Sequence, residues 1–205
     1  DLSVMGKHTF GNTGFRFVRL DFLESEQPYK IASVKALALE RPYKYIGTFE
    51  SSDEMINNIW LKGARTVHLC CQEYIWDGIK RDRILWVGDI NPQIHVICSV
   101  FGPDKIIPDT LEKAAQTTAP EEWMNGISAY SLWWIISLWD YFFYSADMTF
   151  VARCTDYLKN LITKLENCVA PAGTEKFDTG MRFIDWAIGF DEQIVPQGLH
   201  ALFLH

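Results

Sequence analysis

The sequence has 205 residues, of which 48% are hydrophobic and 14% aromatic, so the chain can bury a sizeable core and is not disordered. Its formal net charge of -7 argues against a nucleic-acid partner or an acidic membrane surface, because both select basic faces. An acidic, aromatic-rich chain suits a neutral ligand such as a sugar, whose C–H faces stack on Trp and Tyr while carboxylates bind its hydroxyls.

The first predicted elements are two β-strands. Residues 14–22 are rich in strand-forming side chains, and a second such run covers residues 31–39 after a turn-like segment. Because two strands do not make a stable sheet alone, we expect them to be the last strands of a domain.

Helical periodicity begins after Pro42. Ser51 and Glu54 have the spacing of a capping box, with Ser51 as N-cap, and apolar residues at steps of three and four predict a helix that runs to about Trp76. Further helices are predicted at about 92–101, 110–118, 127–146 and 149–169, and a last one begins near Pro196.

The helix at 127–146 is apolar on all sides except for its serines and Asp140. These polar residues keep every apolar run below the roughly 18–20 residues that a membrane span needs, so we expect a buried helix and no span. Asp140 is either a functional carboxylate or a hydrogen-bonded core residue. The next helix is amphipathic, and this alternation is typical of a double-layered helical barrel.

The segment of residues 76–89 has the composition of a chemical site. It contains three aspartates, three cations and two tryptophans. Glycosidic cleavage needs one carboxyl to protonate the leaving oxygen and another to activate water or attack, with aromatic walls around the ring. The alternative is a solvated ion-pair network in a loop between helices, which contributes little to stability.

No metal or cofactor is predicted. The five cysteines show no CxxC or Cys/His spacing, and they are interpreted as structural thiols. His68, His95 and His200 have no partner spacing typical of a metal site or a catalytic triad.

Motifs spread from about residue 12 to the end support a more specific hypothesis. They are Gly14-Phe15-Arg16-Phe17-Val18-Arg19, Gly47-Thr48-Phe49-Glu50-Ser51-Ser52-Asp53, Asn57-Asn58-Ile59-Trp60, Asp77-Gly78-Ile79-Lys80-Arg81-Asp82-Arg83, Trp86-Val87-Gly88-Asp89, Tyr130-Ser131-Leu132-Trp133-Trp134, Asp140-Tyr141 and Phe183-Ile184-Asp185-Trp186. In this order they resemble the bacterial α-L-rhamnosidases.

The resemblance implies a mainly α fold that is the N-terminal part of an (α/α)6 barrel. Residues 1–46 would be the C-terminal strands of a β-sandwich domain and a linker, and residues 47–205 the N-terminal portion of the catalytic barrel. The implied activity is release of terminal α-L-rhamnose from a glycan or glycoside by an inverting acid/base mechanism, without a cofactor.

The resemblance also implies roles for single residues. Asp82 falls where the family places its general acid, Asp77 and Asp89 match substrate-binding aspartates, and Arg81 matches the family's arginine. In the family pattern, Arg-Asp is followed by a Glu that acts as the acid. This sequence departs from that pattern, because Arg83 follows Arg81 and Asp82. An alignment on the flanking aspartates puts Asp82 in the acid's place, whereas an alignment on Arg-Asp leaves no acid. A general acid must also hold its proton, and two flanking cations favour the ionised form.

Two tryptophans are further candidates for the sugar site. Trp86 and Trp186 each lie near an aspartate in a predicted loop, so each either lines a pocket or packs in the core. Asp185 is a candidate for binding sugar hydroxyls. At least one of Trp133 and Trp134 is expected in the core, and the role of Tyr130 is left open.

Three functions remain open at this point. The first is a rhamnose-releasing glycoside hydrolase, the second a catalytically inactive helical barrel that binds carbohydrate or serves as a scaffold, and the third another (α/α)6 glycosidase. The chain opens at Asp1 and stops in the apolar run 202–205, so we expect a fragment. A twelve-helix barrel needs on the order of 350 residues. The general base is therefore expected beyond residue 205, and the fragment alone is predicted to be inactive. Neither an oligomeric state nor a compartment is indicated.

Overall fold

The computed structural model describes residues 14–22, 28 and 30–205, and these residues are mainly helical, as predicted. Within them lie α1 (Glu54–Cys70), α2 (Ile90–Val96), α3 (Ile106–Thr117), α4 (Ser128–Ser145), α5 (Met148–Glu166) and α6 (Ile194–Leu204). A π-helical segment (Ile97–Phe101) continues α2, and short 3-10 turns (Val87–Asp89 and Met124–Gly126) precede α2 and α4.

The two predicted strands are not confirmed. Residues 14–22 and 31–39 carry no strand and have no ladder partner within the described part of the chain, and a strand exists only when its backbone groups are paired. Their apolar side chains are largely exposed, Phe17 to 85% and Leu37 to 76%. The β-sandwich assignment of residues 1–46 therefore stays a prediction, and residues 1–13, 23–27 and 29 lie outside the described residues.

Helix α1 differs from its prediction at both ends. Asp53, and not Ser51, is the N-cap, because its carboxylate accepts a 2.8 Å hydrogen bond from the Met55 N–H. The helix ends at Cys70 rather than near Trp76. The apolar pattern continues past this end because Ile75, although in a loop, is fully buried against the core.

Helix α4 is the centre of the core and contacts α2, α3, α5 and α6. Trp134 is fully buried and its indole N–H donates to the Leu111 carbonyl at 2.9 Å, which ties α4 to α3. Asp140 accepts hydrogen bonds from Asn91 at 2.8 Å and His95 at 3.0 Å, so it is a hydrogen-bonded residue between α4 and α2. No helix in the described ranges has the length and apolar character that crossing a bilayer requires.

The connections between helices alternate in length. Residues 102–105 join α2 with its π-helical continuation to α3, and residues 146–147 join α4 to α5. The connections that enter α2, α4 and α6 are long and cover residues 71–89, 118–127 and 167–193. Hydrogen bonds and a β-bridge join these three long connections, so they lie together at one end of the helical layers. The 71–89 and 167–193 connections carry the sequence-predicted site residues.

Candidate functional site

Hydrogen bonds join the three long connections to one another. The Asn125 side chain accepts from the Val87 N–H and donates to the Leu85 carbonyl, both at 3.0 Å. Ile127 forms a parallel bridge with Met181, and the Met181 N–H donates to the Gly126 carbonyl at 2.8 Å. The loop ends before α2, α4 and α6 therefore form one continuous surface.

Residues 77–89, here called the aspartate loop, are closed by Asp77. The Asp77 N–H donates to the Ile84 carbonyl at 3.2 Å, and the Asp77 carboxylate accepts from the Ile84 N–H at 2.9 Å. Asp82 and Arg83, with φ of 50° and 55°, take the left-handed conformation between these ends. Each such residue costs roughly 1–2 kcal/mol without glycine, so the closure by Asp77 must hold a strained turn.

The carboxylate of Asp82 has two donor neighbours. The indole N–H of Trp86 donates to it at 3.2 Å, and the Arg81 guanidinium lies 3.5 Å away. The Arg81 side chain is otherwise 87% exposed, so its charge is well solvated. The structure thus places Arg81, Asp82 and Trp86 together on one surface of the loop.

Asp89 ends the aspartate loop and is held from α4. The Tyr130 hydroxyl donates to its carboxylate. Asp89 keeps an exposed edge, yet the protein atoms around it partly bury its carboxyl, and this raises its pKa. Repulsion from Asp77 raises the pKa further, whereas the bond from Tyr130 opposes the rise. The surroundings of Asp89 therefore favour the protonated form of its carboxyl more than water does.

Tyr130 was left open from the sequence and belongs to the site. Burial, followed by the charge of Asp89, raises the pKa of Tyr130 to about 12, so its hydroxyl stays a hydrogen-bond donor. Its ring meets Trp86 edge-on, with 6.2 Å between ring centroids. Gly88 packs against the same ring so closely that a Cβ there would lie 2.2 Å from Tyr130 Cε1.

Asp185 and Trp186 approach from the connection before α6. The Asp185 carboxylate accepts from the Ala187 N–H at 2.7 Å, and its charge contributes to the raised pKa of Asp89. The Trp186 ring is 72% exposed and packs on Phe183 with 4.8 Å between ring centroids. Asp185 is thus in electrostatic range of Asp89, and Trp186 presents a free indole face.

The assembled site can donate a proton, bind hydroxyl groups and stack on a sugar ring. Sequence reasoning missed Asn125, because a single Asn in a loop forms no motif. Gly88 belongs to the motif Trp86-Val87-Gly88-Asp89, but the motif assigned it no role of its own. In the described residues, no group of three His, Cys, Asp or Glu side chains could hold a metal ion.

Comparisons with known proteins find a matching family model and similar solved structures. A family model described as the bacterial alpha-L-rhamnosidase 6 hairpin glycosidase domain matches residues 44–196. The crystal structure of a GH78 family rhamnosidase of Bacillus sp. GL1 is similar with a TM-score of 0.65 and 21% identity over 80% of this chain. A rhamnosidase from Klebsiella oxytoca with rhamnose bound has a TM-score of 0.64 and 24% identity over 75% of this chain. No curated protein sequence matches the chain.

The chain spans a minor part of these two structures. It covers 20% of the Bacillus protein and 33% of the Klebsiella protein. At these identities the similarity establishes the fold, and the predicted six-hairpin helical barrel portion is confirmed.

Proposed function

We infer the function of this chain from its family. The chain belongs to the bacterial alpha-L-rhamnosidase 6 hairpin glycosidase domain family, and is thus a glycoside hydrolase domain of that kind. The function is release of terminal α-L-rhamnose from a glycan or glycoside by inversion at the anomeric carbon. The observation that carries it is the grouping of Asp77, Asp82 and Asp89 with Trp86 on one loop, beside Tyr130.

In the proposed reaction Asp82 is the general acid. Its proton passes to the glycosidic oxygen as the bond between that oxygen and the anomeric carbon breaks, and the aglycone leaves as an alcohol. A second carboxylate, outside the aspartate loop, removes a proton from the water that attacks the opposite face of the sugar. Asp89 and Asp185 bind sugar hydroxyls, Trp86 and Trp186 face the ring, and Arg81 positions the Asp82 carboxyl.

Asp89 is the rival candidate for the acid. Enzymes that need a proton donor near neutral pH raise the pKa of a carboxyl by burial and by neighbouring negative charge, and Asp89 has both influences. Asp82 instead holds two donors, Trp86 and Arg81. Asparagine variants at the two positions decide between them.

The leaving group provides the test. In the protein that carries this chain, Asp82→Asn should lower kcat on natural rhamnosides by roughly 10²–10⁴, the usual contribution of a positioned acid. The loss should shrink strongly on aryl rhamnosides with acidic phenols, because their oxygen leaves without a proton. KM should change little, since the proton acts only in the transition state.

The matched variants Asp77→Asn and Asp89→Asn should lose activity equally on both substrates if these residues hold the loop and the sugar. If Asp89→Asn alone shows the leaving-group effect, Asp89 is the acid. If no variant shows it, the acid mechanism on this loop is wrong.

The stereochemical outcome tests inversion independently. Proton NMR of the first sugar released should show β-rhamnose from an α-rhamnoside. Early α-rhamnose would instead indicate a covalent intermediate and carboxyls about 5 Å apart, rather than the roughly 6.5–9.5 Å that leaves room for water.

A second candidate function has one observation in its favour. The contacts of Asp82 with Arg81 and Trp86 are also those of a structural aspartate. On this alternative the protein binds carbohydrate without cleaving it, and a glycan-binding screen would be positive while no substrate releases sugar.

A further inference from the structure

A cavity lies behind the aspartate loop. It has a volume of about 160 Å³ and is bounded by the 71–89 connection on one side and by the C-terminal end of α3 on the other. Leu85 and Val87 form part of its wall, whereas Trp86 between them does not. Trp86 has an extended backbone, with φ of -85° and ψ of 103°, so side chains on either side of it point to the opposite face. The site and this rear cavity therefore share one wall.

The rear cavity has an aromatic side. Tyr74 and Trp76 both line it, and their rings meet edge-on at 89° with 6.1 Å between centroids. Such a corner offers flat apolar surface to the C–H face of a ring and a polar edge to its substituents.

The opposite side of the rear cavity carries hydrogen-bonding groups. Lys113 and Thr118 line it from α3 and its C-cap, and Asn125 lines it from the next connection. Within the described ranges, the Lys113 ammonium, the Thr118 hydroxyl and the Trp76 indole N–H have no hydrogen-bond or ion-pair partner. These groups are free to bind hydroxyl oxygens, and a single positive charge favours a neutral ligand over a multiply charged anion.

The volume of the rear cavity limits the size of the ligand. A water molecule needs about 10–15 Å³ of such space, so the cavity holds on the order of ten non-hydrogen atoms, which is the size of one hexose ring. We propose that the rear cavity binds one neutral sugar unit, stacked on Tyr74 and Trp76 and hydrogen-bonded by Lys113 and Thr118. The preference for a sugar over another small polar molecule rests on the proposed function.

Trp76 lines the rear cavity, whereas Trp86 lies on the other face of the aspartate loop, so the two indoles allow a direct test. The intact protein is labelled with 5-fluorotryptophan, and its ¹⁹F NMR spectrum is followed during titration with L-rhamnose and, separately, D-glucose. Trp76→Phe and Trp86→Phe identify the two signals. Binding in the rear cavity should shift the Trp76 signal, and binding in the candidate site should shift the Trp86 signal.

Two variants remove the rear cavity's binding groups or its space. Lys113→Met deletes the ammonium and Thr118→Phe fills the volume, and each should weaken the saturable Trp76 shift by about tenfold or more. Lys159→Met, at an exposed lysine of α5, is the matched control and should leave the shift unchanged. An unchanged Trp86 signal in the variants verifies that the loop is still folded.

The outcomes separate the two proposals. A Trp76 shift that depends on Lys113 and Thr118 supports the rear site, even if Trp86 never responds and the proposed function fails. A Trp76 signal that neither sugar moves overturns the rear site, and so does a shift that both variants leave intact. A response of Trp86 alone overturns the rear site while supporting the proposed function.

Discussion

The clearest perturbation of the site is removal of the Asn125 side chain, because that side chain joins the 71–89 and 118–127 connections through two hydrogen bonds. In Asn125→Ala the Val87 N–H loses its acceptor, and Val87 is only 2% exposed. An unsatisfied buried donor costs about 1–3 kcal/mol. Asn125 also has φ of 53°, where alanine is strained by about 1 kcal/mol relative to asparagine. Together these effects predict a loss of roughly 2–4 kcal/mol, a large part of the 5–15 kcal/mol typical of a domain.

Two control variants separate these contributions. Asn125→Gly removes the strain but not the lost hydrogen bonds, so it should be less destabilising than Asn125→Ala. Asn125→Asp keeps an acceptor for Val87 and loses only the donor to the Leu85 carbonyl, so it should be the mildest.

Hydrogen exchange followed by mass spectrometry on peptides spanning residues 85–90 measures the local effect. Exchange there should accelerate roughly fivefold to hundredfold in Asn125→Ala, with peptides from α5 unaffected. If exchange at 85–90 is unchanged in Asn125→Ala, or if Asn125→Asp is as harmful, the Val87–Asn125 bond does not hold the loop and our reasoning is wrong.

Two further predictions test single features of the structure. Burial lowers the pKa of Lys164, which lies over the Trp123 ring, to about 8. Stability should therefore rise from pH about 8 to the ordinary lysine value of 10.5, where only the unfolded chain is protonated. Lys164→Met should abolish that rise, and Tm measured across this range checks it; a rise that persists contradicts the assignment. Gly88→Ala should cost about 1–3 kcal/mol by displacing the Tyr130 ring, whereas Gly63→Ala, in open space on α1, should stabilise by up to about 1 kcal/mol. Urea unfolding of both measures the contrast, and equal effects would argue against the contact.

Much of the helical fold is predictable from the sequence because burial imposes a period. The uniformly apolar run of α4 and the stripe of α5 predicted both helices to within a few residues. The end of α1 was wrong for the same reason: Ile75 is buried in a loop, and periodicity does not distinguish a buried loop from a further helical turn. The start of α1 was also wrong, because Ser51 has the capping-box spacing to Glu54 while the carboxylate of Asp53 accepts the capping hydrogen bond.

The candidate site was predictable where it is continuous in sequence. Asp77, Asp82, Trp86 and Asp89 share one loop, so composition alone drew attention to them. Tyr130 lies far along the chain, and its bond to Asp89 depends on how α4 packs against α2. No local pattern contains that information.

The alternation of long and short connections has an electrostatic consequence. Helices α2, α4 and α6 all begin at the end where the long connections lie, so the partial positive charges of three helix N-termini gather there. Asp191 demonstrates the effect before α6, where the N–H groups of Ile194 and Gln193 lower its pKa. The fold therefore supplies counter-charge to an acidic surface through its backbone. A chain threaded in the opposite direction would present carbonyl ends there and repel the same carboxylates, so this architecture accommodates ionised aspartates at one end of the helices.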